Sequence, residues 1–171
     1  NLISGLLRPS SGVIKVGERE TQRLSNGQLD RLRGEQFGFV FQTFNLLAPF
    51  TALQNVMLGM RFSDTRPSKE WRGHAIELLE RVGLKHRIHS RPGTMSVGER
   101  QRVSIARALA NKQRIVVADE PTGSLDPKTA ASVMDLLLQM CGENKVTLLL
   151  VTHDQGIANQ LPERFDCTGL A

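Results

Sequence analysis

Ile115-Val116-Val117-Ala118-Asp119-Glu120-Pro121-Thr122-Gly123-Ser124-Leu125-Asp126 decides how the rest of this chain is read. Four apolar residues end in two adjacent carboxylates. An apolar run without polar alternation predicts a strand buried on both faces of a parallel sheet. Asp119 and Glu120 then emerge at its carboxyl end, where open α/β sheets bind ligands. Pro121 stops the strand and Gly123 permits a turn. Asp126-Pro127 opens the next helix, with Asp as N-cap and Pro at the first helical position.

Two other runs end in the same way. Phe37-Gly38-Phe39-Val40-Phe41 leads into Gln42, and Val146 to Thr152 leads into His153. A helix over 128–141, with Val133, Leu136, Leu137 and Met140 on one face, supplies the crossover between strands 115–118 and 146–151. Strands of this kind deliver Gln42, Asp119, Glu120 and His153 to one sheet edge. That convergence predicts a single active site.

Taken with Met95-Ser96-Val97-Gly98-Glu99 between them, these runs resemble the ATP-binding subunit of an ABC transporter. Asp119-Glu120 match that family's Walker B pair, Ser124-Leu125-Asp126 its D-loop, Gln42 its Q-loop, residues 95–99 its signature and His153 its switch histidine. Any one of these motifs is weak, but five in order are specific. The Phe-Gln-x-Phe-Asn-Leu-Leu run at 41–47 and the Gln54-Asn55-Val56 step are similar to the lipoprotein-release and macrolide-export subgroup. The resemblance implies a partial RecA-like P-loop NTPase core, α/β with a parallel sheet, and an inserted helical subdomain. The core would cover 1–42 and 105–171, and the helical subdomain with the signature 43–104.

The resemblance also implies a Gly-rich GxxxxGK[ST] phosphate loop directly before the first helix, and the sequence contains no such run. The chain is therefore expected to be cut just after that loop and to be inactive alone.

Composition bounds the alternatives. A chain of 171 residues, 40% hydrophobic and 23% charged, suits one sizeable core. No apolar run reaches the ~20 residues of a membrane span, and no signal peptide is expected. Cys141 and Cys167 make neither a disulfide framework nor a metal spacing, which favours a reducing cytoplasm. The net charge of +5 is spread along the chain, so it reads as a solvated basic surface, and no nucleic acid is expected.

In order, residues 1–7 predict a helix ended by Pro9, residues 12–17 a short strand, and 18–36 a polar loop with a short helix around 27–32. Phe44, Leu46, Leu47 and Phe50 are unusually apolar for a loop after a strand. Thr51 caps a helix with Leu53, Val56, Met57 and Met60 at helical spacing. Ser68 caps another, with Trp71, Ala75, Leu78, Leu79 and Val82 on one face and Gly83 as its stop. Residues 85–92 form a basic connector, in which His86 and His89 lack the neighbours to hold a metal. Ser96-x-x-Glu99 is a capping box opening a helix to about Ala110. A helix follows His153 to about Gln160, and 165–169 resembles a remnant strand.

ATP hydrolysis needs charge neutralisation, a placed water and a base. By resemblance, Asp119 and Gln42 would hold Mg²⁺, which prefers hard oxygen ligands. Glu120 would polarise the attacking water, and His153 would hold the γ-phosphate and that water. Ser96, Gly98, Glu99 and Asp126 would contact nucleotide across a dimer, and a helix N-terminus beside Gly98 suits an anion. Val97 departs from the family's Gly-Gly, which predicts crowding and a weakened contact. The resemblance implies a second ATPase subunit, identical or not, membrane-spanning transporter subunits, and a place at the cytoplasmic face of the membrane. A non-transport ABC ATPase and a nucleotide-free regulatory module are the alternatives.

Overall fold

The computed structural model describes residues 2–63 and 66–167. Three parallel strands, β3 (Phe37–Phe41), β4 (Ile115–Asp119) and β5 (Thr147–Val151), lie side by side in that order. Their register pairs Phe41 with Asp119 and Asp119 with Val151, so all three end level. The residues after each strand are thereby delivered to one edge, as the apolar runs predict.

The two faces of this sheet differ. Successive residues point to opposite sides of a strand. Val40, Val116 and Ala118 on one face are fully buried. Phe39, Phe41, Ile115, Val117 and Leu149 on the other are only half-buried. The expectation that 115–118 is buried on both faces is corrected here, because no described element covers the second face as fully as the first.

Helices α2 (Ala52–Met60), α3 (Ser68–Arg81) and α4 (Val97–Ala108) join β3 to β4, and α5 (Pro127–Glu143) joins β4 to β5. Local signals set their ends. Thr51 and Gln54 form a reciprocal capping box at α2, as Ser96 and Glu99 do at α4. Asp126 caps α5 through the Thr129 amide, with Pro127 in the first position. At the end of α3, Gly83 takes a positive φ of 78°. Its N–H donates to Glu80 O, and that of Leu84 to Leu79 O, a Schellman stop. The remaining orphan donors of α2 are met from afar: Ala52 and Leu53 N–H donate to the Ser90 and Ile88 carbonyls. This gives the basic connector a defined path. One apolar cluster runs unbroken from Leu53, Val56 and Leu79 through Val103 and Ile105 to Val40, Val116 and Leu137.

Several expectations are corrected. Residues 2–7 form turns rather than a helix, because Gly5 sits at φ 67° and breaks the run. The strand expected over 12–17 shrinks to β1 (Lys15–Val16), which pairs antiparallel with β2 (Arg19–Glu20), a strand placed where a loop is expected. Helix α1 (Asn26–Gln36) is longer than the short helix around 27–32, because Ser25 and Gln28 form a capping box and Leu29 and Leu32 bury together. Ser68 is the first helical residue of α3 rather than its cap; Pro67 precedes it, with φ already set at −58° and no side-chain cap bond. The helix after His153 is only α6 (Gln155–Ala158), capped by Asp154. Residues 165–167 form no strand, and 168–169 lie outside the described residues.

Candidate functional site

Beyond β4 the chain turns sharply. Glu120 adopts φ 44°, a left-handed conformation uncommon for a residue with a side chain. Its N–H still donates to Val151 O at 2.9 Å, tying the turn to β5. Its carboxylate accepts from His153 N–H at 2.7 Å and Thr152 Oγ1 at 3.3 Å, and lies 2.7 Å from His153 Nδ1. An ionised carboxylate only accepts, so with Glu120 ionised the donor in this contact is Nδ1–H. Glu120 is mostly shielded, with 19% of its side chain accessible, while His153 is 85% accessible. A carboxylate held by fixed donors beside a solvent-facing imidazole suits proton transfer at the mouth of a site.

Asp119 ends β4 exposed, and its carboxylate accepts no hydrogen bond among the described residues. Gln42, one residue past its register partner Phe41, lies over Gly123: a Cβ on that glycine would come within 2.8 Å of Gln42 Nε2. A side chain at 123 would push the Gln42 carboxamide aside. Asp119 and Gln42 thus offer one carboxylate and one carboxamide from neighbouring strand ends. No cluster of three His, Cys, Asp or Glu able to hold a metal exists among the described residues. This sparse, hard-oxygen set fits Mg²⁺, which keeps its waters and takes phosphate oxygens.

The N-terminus of α4 is a separate assembly. Ser96 Oγ accepts from Glu99 N–H, and the Glu99 carboxylate accepts from Ser96 N–H at 2.8 Å and Arg87 Nε at 2.9 Å. The Ser96 amide, with Arg87 behind it, holds the Glu99 carboxyl below its usual range. Gly98 is buried against the first turn of α5, where a Cβ would meet Thr129 Cγ2 at 2.7 Å. Val97 occupies the first helical position and is absent from the positive-φ residues, so no backbone strain accompanies it. No hydrogen bond or ion pair joins Ser96, Glu99 or the exposed N-cap Asp126 to Glu120 or His153. The Asp126 carboxyl is itself lowered by its hydrogen bond from Thr129.

Three residues escape a reading by motif. Arg107 donates to the carbonyls of Phe44 at 2.7 Å and Asn45 at 2.5 Å. Both acceptors sit at positive φ, 61° and 47°. Burial pushes the Arg107 pKa down, and no carboxylate pairs with it among the described residues. Arg100 adds a cation–π contact 5.4 Å from the Phe44 ring centroid. Asn55, fully buried, accepts from Leu47 N–H and donates to the Leu47, Phe50 and Thr51 carbonyls, fixing the loop after Gln42. Gln101, also fully buried, donates to Pro121 O at 2.6 Å. An asparagine at a helix start is a visible signal. Polar residues inside α4 give none until the fold brings their partners close.

An apolar cavity of about 650 Å³ opens beside this loop, lined by Phe39, Phe41, Leu58, Phe62, Asn45 and Arg107 among others. None of Phe44, Leu46, Leu47 and Phe50 lines it, although Leu47 and Phe50 are exposed. No helix among the described residues is long and apolar enough to cross a membrane.

The family model described as ABC transporter matches residues 1–123. The lipoprotein-releasing system ATP-binding protein LolD of Xanthomonas campestris is 46% identical over 161 residues, covering 94% of this chain and 67% of that protein. LolD of Hydrogenovibrio crunogenus is 44% identical over 168 residues, covering 98% and 73%. Among solved structures, the dimeric ATP-binding cassette MJ0796 bound to ADP and Pi superimposes with a TM-score of 0.81 at 38% identity, covering 92% of this chain and 69% of that one. CbiO1 of Clostridium perfringens, part of an ABC transporter complex, superimposes with a TM-score of 0.76 at 31% identity, covering 89% and 60%.

Proposed function

The chain belongs to the ABC transporter family, and from that premise we propose that Glu120 is the general base of an ATPase that energises transport in a lipoprotein-release type system. The observation that carries this reading is the Glu120–His153 contact at 2.7 Å, at the level edge of three parallel strands. Glu120 takes a proton from the attacking water, while Thr152 and the His153 amide keep its carboxylate aimed. The exposed His153 ring holds the γ-phosphate and the water in line. Asp119 and Gln42 hold Mg²⁺, which supplies charge neutralisation to the phosphates.

Ser96 and Gly98 meet the nucleotide of a second ATPase subunit, and Asp126 lies at that same interface. The dimeric state of the MJ0796 cassette supports this part of the reading. Glu99 serves the helix cap, so its part is to hold Ser96 rather than to touch nucleotide. Residues 43–104 act as a helical unit against a core of 1–42 and 105–171. The loop of Phe44, Leu46, Leu47 and Phe50, with Leu47 and Phe50 exposed, receives a helix of a membrane-spanning subunit, and the chain acts at the cytoplasmic face as a peripheral component.

The test is ATP turnover by the complete gene product, alone and with its membrane subunits, against Glu120→Gln. Turnover abolished with ATP binding kept supports the assignment. Turnover near wild type rejects Glu120 as the base.

A further inference from the structure

Gln101 is fully buried in α4, five residues beyond Ser96. Its Nε2 donates to Pro121 O at 2.6 Å, yet its Oε1 accepts nothing. One hydrogen bond gained against one buried acceptor left unsatisfied is a poor exchange for stability. An unbranched apolar side chain would fill the same space and only move the unpaired acceptor from Gln101 Oε1 to Pro121 O. The bond does have a directed consequence. Pro121 O belongs to the Pro121–Thr122 peptide, one residue beyond Glu120, whose φ of 44° is the uncommon one. The other polar groups of this turn are held from different sides: Glu120 N–H by β5, and Glu120 O by Gly123 N–H at 3.1 Å. Gln101 adds a hold from α4.

We propose that Gln101 is a positioning residue for the Glu120 base, fixing the carbonyl of Pro121 so that the left-handed turn persists. It thereby ties the helix that begins at Ser96–Gly98 to the base. This inference rests on the reading of Glu120 given above. A misplaced catalytic group costs up to about 10²-fold in rate for ~1 Å, so loss of the bond lowers kcat roughly ten- to hundredfold.

The experiment compares Gln101→Met with wild type in the complete gene product. The expected result is a fall in kcat of that size, a KM for ATP within about twofold, and a thermal midpoint close to wild type. Amide hydrogen exchange supplies the second readout. The N–H of Gly123 and of His153, both bonded to Glu120, exchange at least about tenfold faster in the variant, while those of the α5 interior stay unchanged. A packing role predicts instead unchanged kcat, or exchange that rises everywhere with a lowered midpoint; either outcome overturns the proposal. Absence of turnover in wild type would sink the reading of Glu120 as base. In that case exchange decides for Gln101: local acceleration keeps its hold on the turn, and unchanged exchange removes it.

Discussion

The start of α4 and the turn at Glu120 are both polar and both tightly bonded, but they are built in opposite ways. At α4, Ser96 and Glu99 satisfy each other across three residues, and Arg87 and the His86 ring reach in from the connector before them. At Glu120, the backbone is bent to positive φ and held by β5, by residues 152–153 and by Gln101 from another helix. A local device forms wherever its sequence occurs. A non-local one exists only when the whole fold is in place. Changes at the Glu120 turn should therefore act on chemistry, and changes at Val97 and Glu99, the α4-start residues outside the proposed nucleotide contact, mainly on stability.

The largest effect tests that division directly. In Glu120→Gln the amide keeps the size of the side chain and can still accept from the His153 amide, but it cannot take a proton. Hydrolysis should fall roughly 10²–10⁴-fold, with ATP binding and the urea midpoint close to wild type. A variant that loses stability along with rate would show that the turn is structural first, and the comparison would fail.

Arg107 extends the non-local side to the loop after Gln42. In Arg107→Met two carbonyls at positive φ lose a charged donor. Hydrogen bonds to charged groups contribute about 1.5–3 kcal/mol, so the unfolding free energy should drop by that order. Arg107→Lys keeps the charge but not the fork, and should fall between the two. A urea midpoint unchanged in Arg107→Met would mean that Asn55 alone holds the loop.

What was legible in the sequence follows the same line. The three apolar runs specify β3, β4 and β5, and with them the meeting of Gln42, Asp119, Glu120 and His153, because each strand needs only its own hydrophobic pattern. The caps at Thr51, Ser96 and Asp126 are equally local. The Glu120 conformation was not legible, since nothing within its neighbours forces a glutamate to positive φ. Nor were Gln101 and Arg107, whose partners lie 20 residues away for the first and more than 60 for the second. The helix expected at 1–7 fails through a single glycine, and the half-open sheet face is a property of what packs on it.

Val97 sharpens the comparison from the α4 side. The sequence suggests crowding and a weakened contact, yet the residue stands in the first helical position outside the positive-φ set. Val97→Gly should raise ATP turnover less than about threefold and lower stability by up to ~1 kcal/mol, as glycine in helices does. A tenfold rise in turnover would restore crowding as the explanation and make the α4 start part of the chemistry.

Glu99→Gln gives the smallest effect, and its sign is set by linkage. The Ser96 amide, then Arg87, hold the folded Glu99 carboxyl below the ordinary value of 4.5. A group whose pKa is depressed on folding stabilises the protein fully above its unfolded value, and that contribution is lost as pH falls through the folded value. Glutamine still accepts from the Ser96 amide, so the capping box survives, and what goes is the charge toward Arg87 and the nearby His86 ring. The difference in unfolding free energy between wild type and variant should be under about 1 kcal/mol near pH 7. It should shrink as pH is lowered from 4.5 downward, because wild type alone sheds a proton-linked contribution there. Urea midpoints of both proteins across that range measure it. A gap that stays constant with pH would show that Glu99 acts through hydrogen-bond geometry alone. A gap that widens on acidification would reverse the sign and place the carboxyl above, not below, its unfolded pKa.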